Sequence, residues 1–206
     1  MEVSLARPLG KYTEARNALF GPEAQLVASL DAGREAIALF GAVHPRLFHG
    51  DTMVNLCRAY LLRGDRSEAR LKCQMVVDQS LDKEARGEAL YLLTRLSLWQ
   101  NEKNESRALI TRAAELVRGP KLKREVELYR AILNGEEWTA SRLRQFSTLV
   151  GCEKGRALGE SWRWLPMELG FRDEAELLEQ GKAMNLSELP GLVKKASQRC
   201  SRGQRL

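Results

Sequence analysis

The chain has 206 residues, 44% of them hydrophobic and 29% charged, with a formal net charge of +6. This composition is typical of a globular protein with a buried core. The first 20 residues lack a basic start followed by an apolar block, and no apolar run approaches the ~18 residues of a membrane span. The sequence therefore predicts a cytoplasmic protein that does not enter a membrane.

Helical patterns follow one another along the chain, and strand patterns are nearly absent. Apolar or small residues recur at three- and four-residue spacing in short segments that are separated by polar or glycine-containing breaks. These segments are EAQLVASL, TMVNLCRAYLL, RSEARLKCQMVV, RGEALYLLTRLSLW and ESRALITRAAELV. Their length and separation predict an all-α protein built from antiparallel helix pairs.

A break residue followed five positions later by a small residue recurs along the chain. The break residues are Asp31, Gly64, Asn101, Gly135 and Gly170. The small residues are Ala36, Ala69, Ser106, Ala140 and Ala175, which lie 33, 37, 34 and 35 residues apart. Glycine and asparagine tolerate the left-handed backbone that ends a helix, whereas Asp31 fits this role less well. The small residues would allow two helices to cross closely, so the pattern predicts stacked hairpins.

This pattern resembles the tetratricopeptide repeat (TPR) family, whose unit is a helix-turn-helix of about 34 residues. The second hairpin carries the resemblance at Leu56, Cys57, Tyr60, Gly64, Asp65, Ala69, Cys73 and Val76. The third hairpin does so at Leu90, Leu93, Thr94, Asn101, Ser106, Ile110 and Ala113. The first matches mainly at Ala36, Phe40 and Val43, with its first helix expected to begin near Pro22. The resemblance implies an α-solenoid of about five hairpins in a right-handed superhelical stack.

The resemblance divides the chain into four parts. Residues 1–21 are predicted to be an N-terminal extension, 22–118 three TPR-like repeats, 119–188 divergent repeats or a helical cap, and 189–206 a basic C-terminal helix or tail. The match weakens beyond residue 120, where Arg144 takes an aromatic position and Pro166 falls inside an expected helix. The segment GCEKGRALGESW, with glycine at every fourth position, suggests a flexible or tightly bent connection.

No catalytic or metal-binding constellation stands out. The two histidines, His44 and His49, lack a third ligand at a suitable spacing. None of the four cysteines lies two or three residues from another, so zinc and redox motifs are not indicated and free thiols are expected. We therefore predict a non-catalytic protein without metal or cofactor.

In TPR proteins the first helices line a concave groove that holds a segment of another protein. Carrying the groove positions over by register predicts a partner-binding surface made of Val54, Asn55, Arg58, Leu61, Tyr91, Arg95, Leu98 and Tyr129. Two arginine side chains among apolar neighbours would suit a partner with carboxylates and apolar anchors. The predicted function is thus protein–protein interaction as an adaptor, scaffold or chaperone-like module.

Two alternatives remain at this point. After Glu188 the chain has no acidic residue, and a basic tail could bind nucleic acid with the repeats as its scaffold. Its basic residues are Lys194, Lys195, Arg199, Arg202 and Arg205. The aromatic stretch around Trp162 and Trp164 is either core or a surface for homo-oligomerisation.

Overall fold

The computed structural model describes residues 6–20, 26–43, 49–156 and 163–201, and all regular elements in these ranges are helices. They are α1 (Ala6–Phe20), α2 (Leu26–Val43), α3 (His49–Arg63), α4 (Arg66–Gln79), α5 (Lys83–Trp99), α6 (Lys103–Leu116), α7 (Pro120–Leu133), α8 (Ala140–Arg156), α9 (Trp164–Glu168), α10 (Glu174–Ala183) and α11 (Leu189–Ser201). The all-α prediction is confirmed. Within the described ranges, no helix has the length and apolar character needed to span a bilayer.

Helices α1 to α7 pack in chain order. The pairs α1–α2, α3–α4 and α5–α6 form hairpins, and α2–α3, α4–α5 and α6–α7 join one hairpin to the next. Helices α1, α3 and α5 also contact one another in sequence. This helical-repeat-like arrangement places α1, α3 and α5 side by side.

The predicted helix breaks are confirmed at four of five positions. Gly64, Asn101, Gly135 and Gly170 all have left-handed backbone, with φ of 86°, 61°, 75° and 96°. Each turn has the same hydrogen bonds: at the first, the N–H of Gly64 donates to the Leu61 carbonyl and the next N–H donates to a carbonyl five residues back. This Schellman motif ends a helix by satisfying its last carbonyl groups.

The fifth predicted break, at Asp31, is wrong. Asp31 lies inside α2, which runs without interruption from Leu26 to Val43. The first hairpin is formed instead by α1 and α2, so residues 6–20 of the predicted N-terminal extension are a packed helix. Asp31 does not have the left-handed backbone of a helix-ending residue, so it marks no turn between two helices.

Burial of the predicted small residues decreases along the chain. Ala36, Ala69 and Ser106 are completely buried, Ala140 is half-buried, and Ala175 is exposed. The regular helix crossing therefore holds in the first three hairpins and is lost after α7, which agrees with the weakening of the sequence pattern.

The change after α7 has a structural cause. Helix α8 packs mainly against α11 rather than α7. A Cβ atom at Gly151 would clash with the carbonyl oxygen of Val193, and one at Gly155 would clash with that of Ser197. These two glycines therefore allow close contact between α8 and α11. The prediction of a flexible or tightly bent connection is wrong for them, because both lie within α8. Gly159 lies outside the described residues.

The four cysteines form two disulfides, so the prediction of free thiols is wrong. Cys57 of α3 is joined to Cys73 of α4, and Cys152 of α8 to Cys200 of α11. Their Cα atoms are 5.7 and 5.2 Å apart, within the range for disulfides. Each bond joins two helices that pack closely, and residues brought together only by folding have no recognisable spacing in sequence.

An aromatic cluster positions the segment after α8. The rings of Phe146 and Phe171 stack with centroids 5.8 Å apart, and Trp138 packs against both. Pro166 lies in the first turns of the short helix α9, where proline does not interrupt an established hydrogen-bond ladder. The cluster thereby helps to hold α9 close to α5, which α9 contacts directly.

Candidate binding groove

Helices α1, α3 and α5, the start of α7 and the end of α8 enclose a cavity of about 420 Å³, which we call the groove. One wall comes from α1 and α3, the floor from α5, and the other wall from the start of α7 and the end of α8. The Glu84 carboxylate accepts hydrogen bonds from the N–H groups of Arg118 and Gly119, at 2.6 and 3.0 Å. This contact fixes the loop that places α7 beside α5.

Most of the residues that sequence register assigned to a groove line this cavity or the space beside it. Val54, Asn55, Arg58, Tyr91 and Arg95 line the groove. A smaller adjoining cavity of about 30 Å³ is lined by Leu61 together with both arginines.

The other two assigned residues do not line either cavity. Leu98 packs against the hydrophobic core. Tyr129 is completely buried, with its ring edge-on to Tyr91 at 5.2 Å between centroids. These two residues therefore support the floor of the groove without facing it.

Arg58 is paired within the chain. Its Nε donates to the Oε1 of Glu88 at 2.5 Å, and both side chains are about three-quarters buried. Burial lowers the pKa of Arg58, but attraction by Glu88 and Glu125 outweighs this effect and raises it. The guanidinium is therefore held charged by carboxylates of α5 and α7.

Arg95 is paired more deeply. Its Nε lies 3.2 Å from an oxygen of Glu168 in α9, and its Nη1 lies 3.3 Å from a carboxylate oxygen of Glu153 in α8. The hydroxyl of Tyr129 also donates to Glu168, at 2.9 Å. The side chains of Arg95 and Glu168 are only 7% and 1% exposed, so this pair is part of the interior.

Burial raises the pKa of Glu168 to about 7, even though Arg95 and Tyr129 both act to lower it. The carboxyl group therefore sits in a site where its charged form is costly despite an arginine partner. The four residues Arg95, Tyr129, Glu153 and Glu168, which we call the clamp, tie α5, α7, α8 and α9 together.

The clamp changes the chemistry expected of the groove. The sequence analysis assigned Arg58 and Arg95 to the capture of a partner's carboxylates, but the chain itself supplies carboxylates to both. Neither pairing was foreseen, because Glu168 lies 73 residues from Arg95 in sequence and only the packing of α9 brings it close.

Carboxylates also enter the groove from three successive odd-numbered helices. Asp51 of α3, Glu88 of α5 and Glu125 of α7 all line it. They lie 37 residues apart in each step, so the sequence carried a periodic signal that the groove prediction missed. Of the three, Glu88 is paired with Arg58, whereas Asp51 and Glu125 have no hydrogen bond or ion pair with any described residue.

The environments of the two unpaired carboxylates differ. At Asp51, partial burial and repulsion by Asp82 and Glu88 raise the pKa, and these effects outweigh attraction by Arg16. At Glu125, burial raises the pKa although Arg58 attracts the charge.

A tyrosine and an amide complete the wall of the groove near Asp51. Partial burial raises the pKa of Tyr12, and Asp51 raises it further. The side chain of Asn55, which also lines the groove, lies near the Tyr12 hydroxyl and acts to lower its pKa. This wall thus combines an aromatic ring, an amide and a carboxylate.

The basic C-terminal residues divide into two groups. Lys194, Lys195 and Arg199 are exposed on α11, whose opposite face packs on α8. Arg202 and Arg205 lie outside the described residues.

The remaining sequence candidates fall largely outside the description. His44, Trp162 and the side chains of His49 and Trp164 are not among the described groups. Within the described part of the chain, no three His, Cys, Asp or Glu side chains are placed to hold a metal ion.

No family model, curated protein or solved structure matches this chain.

Proposed function

We propose that the chain is a TPR-like protein-interaction module that holds a segment of a partner protein in the groove. The observation that carries this proposal is the convergence of α1, α3, α5 and the start of α7 on one cavity, which the end of α8 closes, since alternate helices of stacked hairpins are the elements that line such grooves. In this role the protein is an adaptor or scaffold, and the walls of the groove provide both apolar and polar contacts.

A non-catalytic role is supported by the state of the reactive groups in the groove. Cys152 is the cysteine that lines it, and its sulfur is bonded to Cys200 and cannot act as a nucleophile. Arg58 and Arg95 are held in ion pairs that join helices. These groups therefore serve the architecture of the groove, and we propose that recognition is its purpose.

The experiment is site-specific photo-crosslinking in extracts of the native cell. A benzophenone amino acid replaces Tyr12, an aromatic residue that lines the groove, or Arg112, which is exposed on α6. We expect one discrete protein to crosslink at position 12 and not at position 112, with its crosslinked peptide defined by mass spectrometry. Equal labelling at both positions, or none at position 12, would contradict the proposal.

The exposed basic face of α11 favours a second candidate, nucleic-acid binding. Lys194, Lys195 and Arg199 form a cationic surface on a helix whose other face is fixed to α8. Binding of a 20-nucleotide single strand that falls steeply with salt and is lost when these three residues become glutamine would establish this function. Binding of the nucleic acid that does not weaken with salt would show that it does not bind through these basic residues.

A further inference from the structure

The charges that line the groove are not all available to a partner. Arg58 is joined to Glu88, and Arg95 to Glu153 and Glu168, so each of these charges is already compensated within the chain. An incoming carboxylate would have to compete with those intramolecular carboxylates, two of which are closely packed around Arg95. The groove is therefore poorly suited to acidic ligands at the positions of the arginines.

Two carboxylates in the groove do remain open to a new partner. Asp51 on α3 and Glu125 on α7 lie on opposite walls, and neither has a hydrogen bond or ion pair among the described residues. Glu125 is the less exposed of the two, with intermediate exposure to solvent. A ligand that donates to its carboxylate forms a charge-assisted hydrogen bond that water screens less than at an open surface.

The surroundings of Asp51 favour a cation. Asp82 and Glu88 repel its charge and Arg16 attracts it, so acidic groups outnumber basic ones among the charged neighbours of Asp51. The adjacent Tyr12 ring and Asn55 amide offer a face for a cation–π contact and a further hydrogen-bond acceptor. The molecule as a whole is basic, with a net charge of +6, and Lys121 and Arg156 also line the groove, so the acidic surroundings of Asp51 are a local feature.

We propose that the segment bound in the groove presents lysine or arginine side chains to Asp51 and Glu125. This inference rests on the proposed function and adds the chemistry of the partner. It reverses the expectation from sequence, in which the groove arginines select an acidic segment. Of the three groove carboxylates, Glu88 is then paired with Arg58, and Asp51 and Glu125 are paired with the partner.

The test is selection of peptides from a phage-displayed library of random 12-residue sequences on the immobilised full chain. We expect the retained peptides to be enriched in lysine and arginine over the starting library. The most enriched peptide is then synthesised, and its affinity is measured by fluorescence anisotropy. The double variant Asp51→Asn with Glu125→Gln should bind it about 10- to 100-fold more weakly, the range for losing charge-assisted hydrogen bonds.

A matched control is available on the same helix. Glu127 is exposed on α7 two residues from Glu125, in a loose pair with Lys123 at 3.9 Å, so Glu127→Gln should leave the affinity unchanged. Far-UV circular dichroism would verify that all variants keep their helix content. A variant that fills the groove, Asn55→Trp, should abolish retention of the peptide.

The outcomes separate this inference from the proposed function. Retained peptides that Asn55→Trp blocks, but that show no basic enrichment or are enriched in acidic residues, would overturn the inference and leave the groove as a binding site. An unchanged affinity in the double variant would do the same. If no peptide is retained, or if retention survives Asn55→Trp, the proposed function itself is wrong and the inference falls with it.

Discussion

Replacing Arg95 by methionine should strongly destabilise the protein. Methionine keeps much of the side-chain length but removes the charge that compensates Glu168, whose side chain is 1% exposed. Breaking a buried ion pair by removing one member costs about 3–5 kcal/mol. For a chain of this length, 1 kcal/mol corresponds to a change of about 2–4 °C in Tm, so a fall of roughly 6–20 °C is expected at pH 8.

The cost should depend on pH and on Glu168 itself. At pH 5 Glu168 can take up a proton and avoid an uncompensated charge, so the destabilisation should be smaller than at pH 8. Adding Glu168→Gln to Arg95→Met should recover part of the loss. Urea unfolding followed by circular dichroism gives the free energy of unfolding for each variant at both pH values.

A suitable control is Arg58→Met. The side chains of Arg58 and Glu88 are 26% and 24% exposed, so their ion pair is better solvated and its loss should cost less than that of Arg95. If Arg95→Met unfolds within about 0.5 kcal/mol of the wild type at pH 8, the clamp does not stabilise the fold. Equal losses of unfolding free energy in Arg95→Met and Arg58→Met would show that the burial of an ion pair does not determine how much it stabilises this protein.

Three further predictions concern pH, helix packing and the disulfides. The pKa of Glu168 is raised from 4.5 to about 7, so between these pH values the unfolded chain releases the proton while the folded chain keeps it. As pH rises from 4.5 to 7.5 the wild type should therefore lose about 3 kcal/mol of stability relative to Glu168→Gln. A difference in unfolding free energy that stays constant with pH would refute this. Gly151→Ala should lower Tm, because the added Cβ would clash with α11. Gly10→Ala, which has open space around it in α1, should raise the free energy of unfolding by up to ~1 kcal/mol. A gain of stability at both positions would contradict the close contact between α8 and α11. Replacing both cysteines of one disulfide by alanine should lower the free energy of unfolding by about 3 kcal/mol for the α3–α4 bond and about 4 kcal/mol for the α8–α11 bond, because these bonds close loops of 16 and 48 residues. Intact-mass measurement after alkylation without reductant checks that both bonds form, and four alkylated thiols would refute them.

Local chemistry explains which parts of the fold were predictable. A left-handed residue at the end of a helix needs little beyond glycine or asparagine at that position, so the turns at Gly64, Asn101, Gly135 and Gly170 followed from sequence. The burial of Ala69 and Ser106 followed as well, because a repeated register implies a repeated helix crossing.

The departures arise where distant segments meet. Nothing near Arg95 in the sequence indicates that Glu153 and Glu168 will reach it, and the pairing of Cys152 with Cys200 depends on the packing of α8 against α11. The groove prediction included Arg58 and Arg95, which line the cavity, but it could not foresee the side chains that compensate them. A search for carboxylates at the 37-residue interval would have found Asp51 and Glu125 from sequence alone.

The clamp also bears on how the protein folds. In a stack of helical hairpins each unit contacts only its neighbours, so such proteins fold through local contacts and can unravel from either end. The contact between Arg95 and Glu168 spans 73 residues and closes a long loop of chain, which raises the entropic cost of forming the native state. We expect the segment from α5 to α9 to open as one cooperative unit in native-state hydrogen exchange, rather than helix by helix from its C-terminal end.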